Sequence, residues 1–279
     1  ASADDSVASL RRQFPAVEVV ASPENLGFAK GNNVGIKKAA GQYICLVNSD
    51  IEALDDALGK MGDYLDAHPE IGLLAPRLLC RDRTTVQHGC WHFPTPLRSA
   101  AFAVGLTHLF PSFAPFAIAR DLTGPDPRAV DTACGAFWMV RKEVFEKIGV
   151  LDEAFWFYGE DVDFCRRVRD AGWQVVYFPE AQVIHYGGAS SSKAPVKFQV
   201  QLTRAKLQLL KKYQGRLGFA VSWLIQVLHH ALRTLGYFMK SAVSSDAAAA
   251  RLKCKSHWAC LSWMLTGKKP EIGRASCRE

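Results

Sequence analysis

Gln42-Tyr43-Ile44-Cys45-Leu46-Val47-Asn48-Ser49-Asp50 is an apolar run that halts on three polar residues. A strand that is apolar nearly throughout suits a parallel sheet covered on both faces. The neighbouring pattern agrees. Val17 to Ala21 is a short β-branched strand, and Gly31 to Ala40 reads as a helix that Gly41 stops. Leu54 to Ala67 reads as a second helix, ended by His68-Pro69, and Ile71 to Ala75 as another strand. Strand and helix in alternation predict an α/β fold, with helices on both faces of a mostly parallel sheet. Beyond an irregular stretch from Leu79 to Arg128, rich in proline and aromatic residues, Asp131 to Arg141 regains strand character. Lys142 to Ile148 and Asp161 to Ala171 are helices closed by Gly149 and Gly172, and Gln174 to Phe178 is the last strand.

From Val196 onward the texture turns to long helices. Val196 to Tyr213 is basic and amphipathic. Leu217 to Met239 is strongly apolar but interrupted by Gln226, His229, His230 and Arg233, and Arg251 to Leu265 is a shorter helix. A spanning helix wants about 20 mostly apolar residues, and His-His-x-x-Arg at its centre is expensive in hydrocarbon. The extension therefore reads first as interfacial, next as packed on the body, and last as a span. The expected division is a catalytic unit over 1–195, a helical extension over 196–270 and a disordered tail over 271–279.

The 279 residues carry a formal charge of +7, with 49% hydrophobic and 22% charged side chains. These values describe a globular chain able to bury a core. The positive balance favours anionic partners such as a nucleotide diphosphate or an acidic membrane surface. No basic block with interleaved aromatics supports nucleic-acid binding. The eight cysteines are scattered without a C-x-x-C pair, which points to a reducing compartment.

Asp50 lies where open α/β sheets hold ligands, at the carboxyl end of a strand. A carboxylate there suits a hard divalent cation, Mg or Mn, which takes oxygen ligands. By itself, Asn48-Ser49-Asp50 is equally a turn. Glu160 and Asp161 open a helix. A base is needed wherever a hydroxyl acts as nucleophile and must lose its proton, and the helix dipole favours the ionised acid. The same position also suits a plain helix cap. Asp163 is expected to pair with Arg166 or Arg167. His185 is a lone imidazole that completes a metal shell only if Asp50 begins one. Phe155 to Tyr158 is either core or the wall of a sugar pocket. In Asn25-Leu26-Gly27-Phe28-Ala29-Lys30-Gly31-Asn32-Asn33, Gly27 and Gly31 permit close backbone approach, while Asn25, Asn32 and Asn33 are candidates for base or ribose contacts. The loop is neither a G-x-G-x-x-G fingerprint nor a P-loop. His88, Cys90 and His92 alternate along a strand and invite a zinc reading, rejected because three ligands on one face crowd each other.

These segments, with T-A-C-G-A-F-W-M-V-R-K-E-V-F-E-K-I-G from Thr132 and V-I-H-Y-G-G-A-S-S from Val183, resemble glycosyltransferase family 2 and its rhamnosyltransferase-like branch. They stand in the family's order across Ala1 to about Ser192. The resemblance implies a GT-A (Rossmann-like) fold, a divalent cation, a nucleotide-diphosphate sugar donor and inversion. It also implies Asp50 as the metal acid of an N-x-D motif, Asp161 beside Glu160 as base, and His185 assisting the metal. Asn48 would sit at the donor, and Gly135, Trp156 and Tyr158 at the acceptor or sugar pocket. Lack of a Q-x-x-R-W signature favours transfer of one sugar at a time. The resemblance implies rhamnose or a similar hexose as that sugar, and the basic helical extension suits a lipid-linked or cell-envelope glycan as acceptor. The expected place is cytoplasmic, peripheral at the inner face of the membrane. The family's opening strand, helix and second strand have no counterpart before Ala1, so weak activity is expected of the chain as it stands. The competing readings are an impaired transferase acting as a carbohydrate-binding scaffold, and a glycoside hydrolase using Asp50 and Asp161.

Overall fold

The computed structural model describes residues 5–103, 106, 122–187 and 194–268. The expected tail over 271–279, part of the Leu79–Arg128 stretch and the Gly188–Ser192 segment lie outside the described residues. Helices α1 (Ser6–Gln13) and α2 (Gly27–Ile36) precede β1 (Tyr43–Val47), β2 (Ile51–Ala53), α3 (Ala57–Ala67) and β3 (Ile71–Leu79). Next come β4 (Cys90–Trp91), α4 (Pro96–Ala103), β5 (Arg128–Ala129), β6 (Thr132–Ala133), β7 (Phe137–Arg141) and α5 (Lys142–Ile148). The chain continues through α6 (Glu160–Asp170), β8 (Gln174–His185), α7 (Pro195–Val243) and α8 (Ala247–Thr266).

The main sheet has the order β1-β7-β3-β8-β2, with β5 also on β8. β7 lies antiparallel to both β1 and β3, whereas β3 and β8 pair in parallel. β1, β3 and β8 therefore share one direction, and the reversed β7 between them makes the sheet mixed. Alternation along β7 builds both cores at once. Trp138 and Val140 enter one, with Ala29, Ile36, Val144 and Phe164 from α2, α5 and α6. Phe137 and Met139 enter the other, with Ala57, Met61 and Leu65 from α3.

Three expectations change. Val17 to Ala21 is not a strand; the sheet ends on β1, so the segment has no ladder to join, and Val17 and Val20 are exposed. β1 is not covered on both faces: Ile44 and Leu46 are buried while Cys45 and Val47 face out. β8 does not end at Phe178, because pairing jumps from Pro76–Phe178 to Arg77–Gln182 and resumes through His185. Proline cannot donate to a ladder, and a bulge absorbs it.

α7 runs 49 residues and breaks at Gly215, whose φ of 66° and ψ of −169° are not helical. Among the described residues, no helix is long and apolar enough to cross a membrane. α8 folds back on α7, and α4 packs there as well.

Candidate active site

Strand register, not sequence proximity, assembles the site. Asn48 to Asp50 turn at the carboxyl end of β1, where the Asn48 N–H donates to the Ala136 carbonyl at 2.9 Å. β2 then pairs antiparallel with β8 so that Ile51 faces His185, and the Tyr186 N–H donates to the Asp50 carbonyl at 2.9 Å. Asp50 Oδ1 consequently lies 3.6 Å from His185 Nε2.

The proton position on His185 follows from Gln87. The Gln87 amide nitrogen donates to the carbonyls of His185 at 2.6 Å and Leu79 at 3.2 Å. Its oxygen is therefore the atom 3.0 Å from His185 Nδ1, and that nitrogen must carry the hydrogen. In the neutral ring, Nε2 then presents a lone pair toward a carboxylate oxygen. Two acceptors facing each other are reconciled by a proton or by a metal cation between them, and an imidazole held by a hydrogen bond at its other nitrogen is the usual form of a metal ligand. The pair fits a divalent ion. Nothing in the sequence around Gln87 signals this role; it depends on an isolated bridge between Leu79 and Val86 that brings the segment to the end of β8.

Glu160 and Asp161 open α6 behind Gly159. Burial pushes the Asp161 carboxyl above its usual pKa, against the backbone N–H groups of Val162, Gly159 and Gly135 that favour its charge. The sequence argument from the helix dipole gave the opposite direction; burial outweighs the dipole here. A raised value is useful, since a base works best with a pKa near the working pH. Glu160 is 5% exposed, its Oε2 has no hydrogen-bond partner, and burial with the adjacent Asp161 charge raises its pKa too. Tyr158, just ahead, sits at φ 67°, a left-handed conformation that costs a non-glycine residue on the order of 1–3 kcal/mol.

The two acidic centres meet around Cys134, which sequence reading did not single out. Burial raises its thiol to about 12, and the charges of Asp161, Glu160 and Asp50 all add to that shift. One side chain thus registers all three carboxylates. Gly135 is next to it: a methyl group there would touch the Asp161 Cβ at 3.5 Å and the Phe28 ring at 3.6 Å.

A family model described as glycosyl transferase family 2 matches residues 1–149, and one described as glycosyl transferase family group 2 matches residues 127–267. The chain belongs to glycosyl transferase family 2. It resembles the N-acetylglucosaminyl-diphospho-decaprenol L-rhamnosyltransferase of Mycobacterium tuberculosis, 27% identical over 208 residues, 70% of this chain and 66% of that protein. The rhamnosyltransferase WbbL of Escherichia coli K12 is 26% identical over 170 residues, 57% of this chain and 61% of the relative. The chain thus spans just under two thirds of these relatives. Its fold is that of the GT-A transferases. A mannosyltransferase from Pyrobaculum calidifontis, solved with GDP-Man and Mn2+, superposes with a TM-score of 0.55 over 96% of this chain and 76% of that one, at 14% identity.

Within this family 2 fold the glycine-rich loop divides. Gly27 has φ 75°, and a Cβ there would meet the Trp156 carbonyl at 2.5 Å, so only glycine lets the loop dock, with the Phe28 N–H on that same carbonyl. Asn25 is exposed and accepts from the Gly27 N–H at 3.0 Å. The Asn32 side chain donates to the Phe28 carbonyl. Gly31 has open space beside it. Asn33 does not fit a nucleotide contact. It is fully buried, donating to the Leu151 carbonyl and Glu153 and accepting from the Leu151 N–H, so its amide ties α2 to the segment before the aromatic run. Of that run, Phe155 is core, Tyr158 packs against Phe157 and Phe198, and Trp156 is 40% exposed beside Gly27. His92 is turned to Asp131 at 2.9 Å, and Cys90 is buried in the β4–β6 pair.

Proposed function

We propose that this family 2 domain transfers a single hexose, rhamnose or a close relative, from a nucleoside-diphosphate sugar to a hydroxyl of a lipid-linked or cell-envelope glycan, with inversion. The carrying observation is the Asp50–His185 pair, with its imidazole lone pair aimed at a carboxylate. Asp50 and His185 would hold Mg2+ or Mn2+, with Asn48 at the donor. The cation, when bound, neutralises the diphosphate as its oxygen leaves.

Asp161 performs the proton chemistry. In its ionised form it accepts the hydroxyl proton as the acceptor oxygen bonds to the anomeric carbon and the carbon–diphosphate bond breaks on the opposite face. Burial keeps the Asp161 pKa high, and the Asp161 charge in turn raises that of its buried neighbour Glu160. Trp156 offers an exposed ring face to sugar, and Gly135 leaves space next to the base. The relatives' names support the rhamnosyl and lipid-linked parts of this reading.

An interfacial role at the inner membrane face is supported by the second half of α7. Leu217, Leu224, Leu228, Leu235, Phe238 and Val243 are all more than half exposed along one helix, and lysine and arginine are interspersed. The test is a thermal-shift panel of nucleotide sugars with Mn2+ or Mg2+. One nucleotide class should raise Tm only with metal present, since a ligand of the native state adds apparent stability. No shift with any donor and metal together contradicts the proposal.

A further inference from the structure

His229 and His230 of α7 and His257 of α8 gather away from the acidic site, inside the helical extension. One nitrogen from each lies within 4.8 Å of the others. His229 and His230 are buried at 6% and 2% exposure, and His257 is half-buried. Consecutive residues on a helix point about 100° apart. Here their rings nevertheless converge on a third ring from another helix.

The spacing of the rings is informative. Zinc holds imidazole nitrogen at about 2.0–2.1 Å in a tetrahedral shell, so three ligating rings should have centroids roughly 5.2 Å apart. The observed separations are 5.3 Å for His229–His230, 5.2 Å for His230–His257 and 5.7 Å for His229–His257.

The protons are arranged suitably as well. His229 hydrogen-bonds the main chain of Ala103, which favours its charged form and marks that ring nitrogen as a donor. Its Nδ1 is buried with no partner at all. Buried polar atoms without partners are rare and call for an explanation, a bound ion among them. The His230 Nε2 contacts the Thr203 hydroxyl at 3.4 Å, and that hydroxyl donates to the Gln199 carbonyl, so it is an acceptor toward the ring. His230 Nδ1 is then an acceptor for the His257 Nδ1–H at 2.9 Å, a hydrogen that an ion bound between the rings displaces. Burial depresses the pKa of all three rings, His229 to about 4 and His230 to about 3, so they are neutral near pH 7, as metal ligands must be.

We propose that these three histidines form a zinc-class metal site that clips α8 to α7, separate from the cation at Asp50 and His185. Imidazole donors suit Zn2+ and its transition-metal neighbours, not the oxygen-seeking Mg2+ or Ca2+. The charged groups that act most on the rings, Lys206, Arg233 and Lys253, are all cationic. The ion is therefore held by directed nitrogen lone pairs rather than by charge, and its affinity falls below that of a thiolate site.

The test uses the full chain dialysed against Zn2+ and assayed for bound metal, with X-ray absorption on the zinc-loaded wild type. One retained equivalent with three imidazole ligands is the expected result. His257→Gln and His230→Gln should lose that equivalent and the Zn2+-dependent rise in Tm, while Asp50→Ala keeps both. Either zinc that fails to be retained by the wild type, or a zinc shell dominated by carboxylate oxygen, overturns the proposal without reference to any variant. Equal retention by the histidine variants also overturns it. Loss in Asp50→Ala alone would assign the zinc to the acidic site instead.

Discussion

Three acids open α6, and the fold treats them in opposite ways. Asp163 is fully buried yet richly partnered: Arg167 Nε lies 2.9 Å from one oxygen, and the Tyr213 hydroxyl at 2.7 Å and Lys212 Nζ at 2.5 Å share the other. Lys212 also reaches Asp152 at 2.7 Å. Half a turn earlier, Glu160 and Asp161 receive no side-chain donor at all among the described residues, only backbone N–H groups. The fold thus surrounds one buried carboxylate with cations and donors and leaves the other two with raised pKa values, as the proposed base requires. The contrast also explains the place of α7: its Lys212 and Tyr213 hold the helix that carries the proposed base.

The comparison breaks most visibly at Asp161. Asp161→Asn should lower turnover by about 10²–10⁴-fold without lowering the unfolding midpoint, because it removes a buried charge that the fold disfavours. Turnover within a few-fold of wild type would remove Asp161 from the chemistry. Asp163→Ala should do the reverse. It strands Arg167 and the Tyr213 hydroxyl in a buried setting, and denaturant titration should show a loss of about 3–5 kcal/mol. A loss below 1 kcal/mol would mean that α7 does not brace α6.

Glu160→Gln sharpens the distinction further, because removing an unhappy charge should stabilise the fold by about 1–3 kcal/mol at neutral pH. The sign follows from linkage. The folded-state pKa of Glu160 is raised, so its protonated form is the one the fold favours. Wild-type stability is full below the ordinary glutamate pKa and is lost as pH rises toward the raised value. The Tm advantage of the variant should therefore be near zero at about pH 4 and grow toward about pH 7. An advantage that shrinks as pH rises would contradict the assigned direction.

Much of this was legible in the order of residues. The apolar run into Asn48-Ser49-Asp50, the helix opened by Glu160 and Asp161, and His185 at a strand end each carried a local signal, and the family resemblance gave their order. Lys142 to Ile148 is a helix in both readings because Gly149 supplies a clear stop. What escaped was nonlocal. The pairing of Asp163 with Arg167 was legible one turn away in the sequence, but its other partners, Lys212 and Tyr213, lie some fifty residues later. Asn33 reads as a loop donor, and only its distance from Leu151 in space makes it core. Gln87 lies 98 positions from the imidazole it orients. Packing of segments far apart in the chain creates these contacts, and no periodicity in the chain encodes them.

Binding of Mn2+ to the acidic site in the presence of a nucleoside diphosphate is the decisive measurement. The wild type should show a diphosphate-dependent Mn2+ site by electron paramagnetic resonance, Asp50→Ala and His185→Ala should abolish it, and Gln87→Leu should weaken it by about 10–100-fold. If both ligand variants bind Mn2+ with the affinity of the wild type, the Asp50–His185 pair is not a metal centre and the account of this site fails.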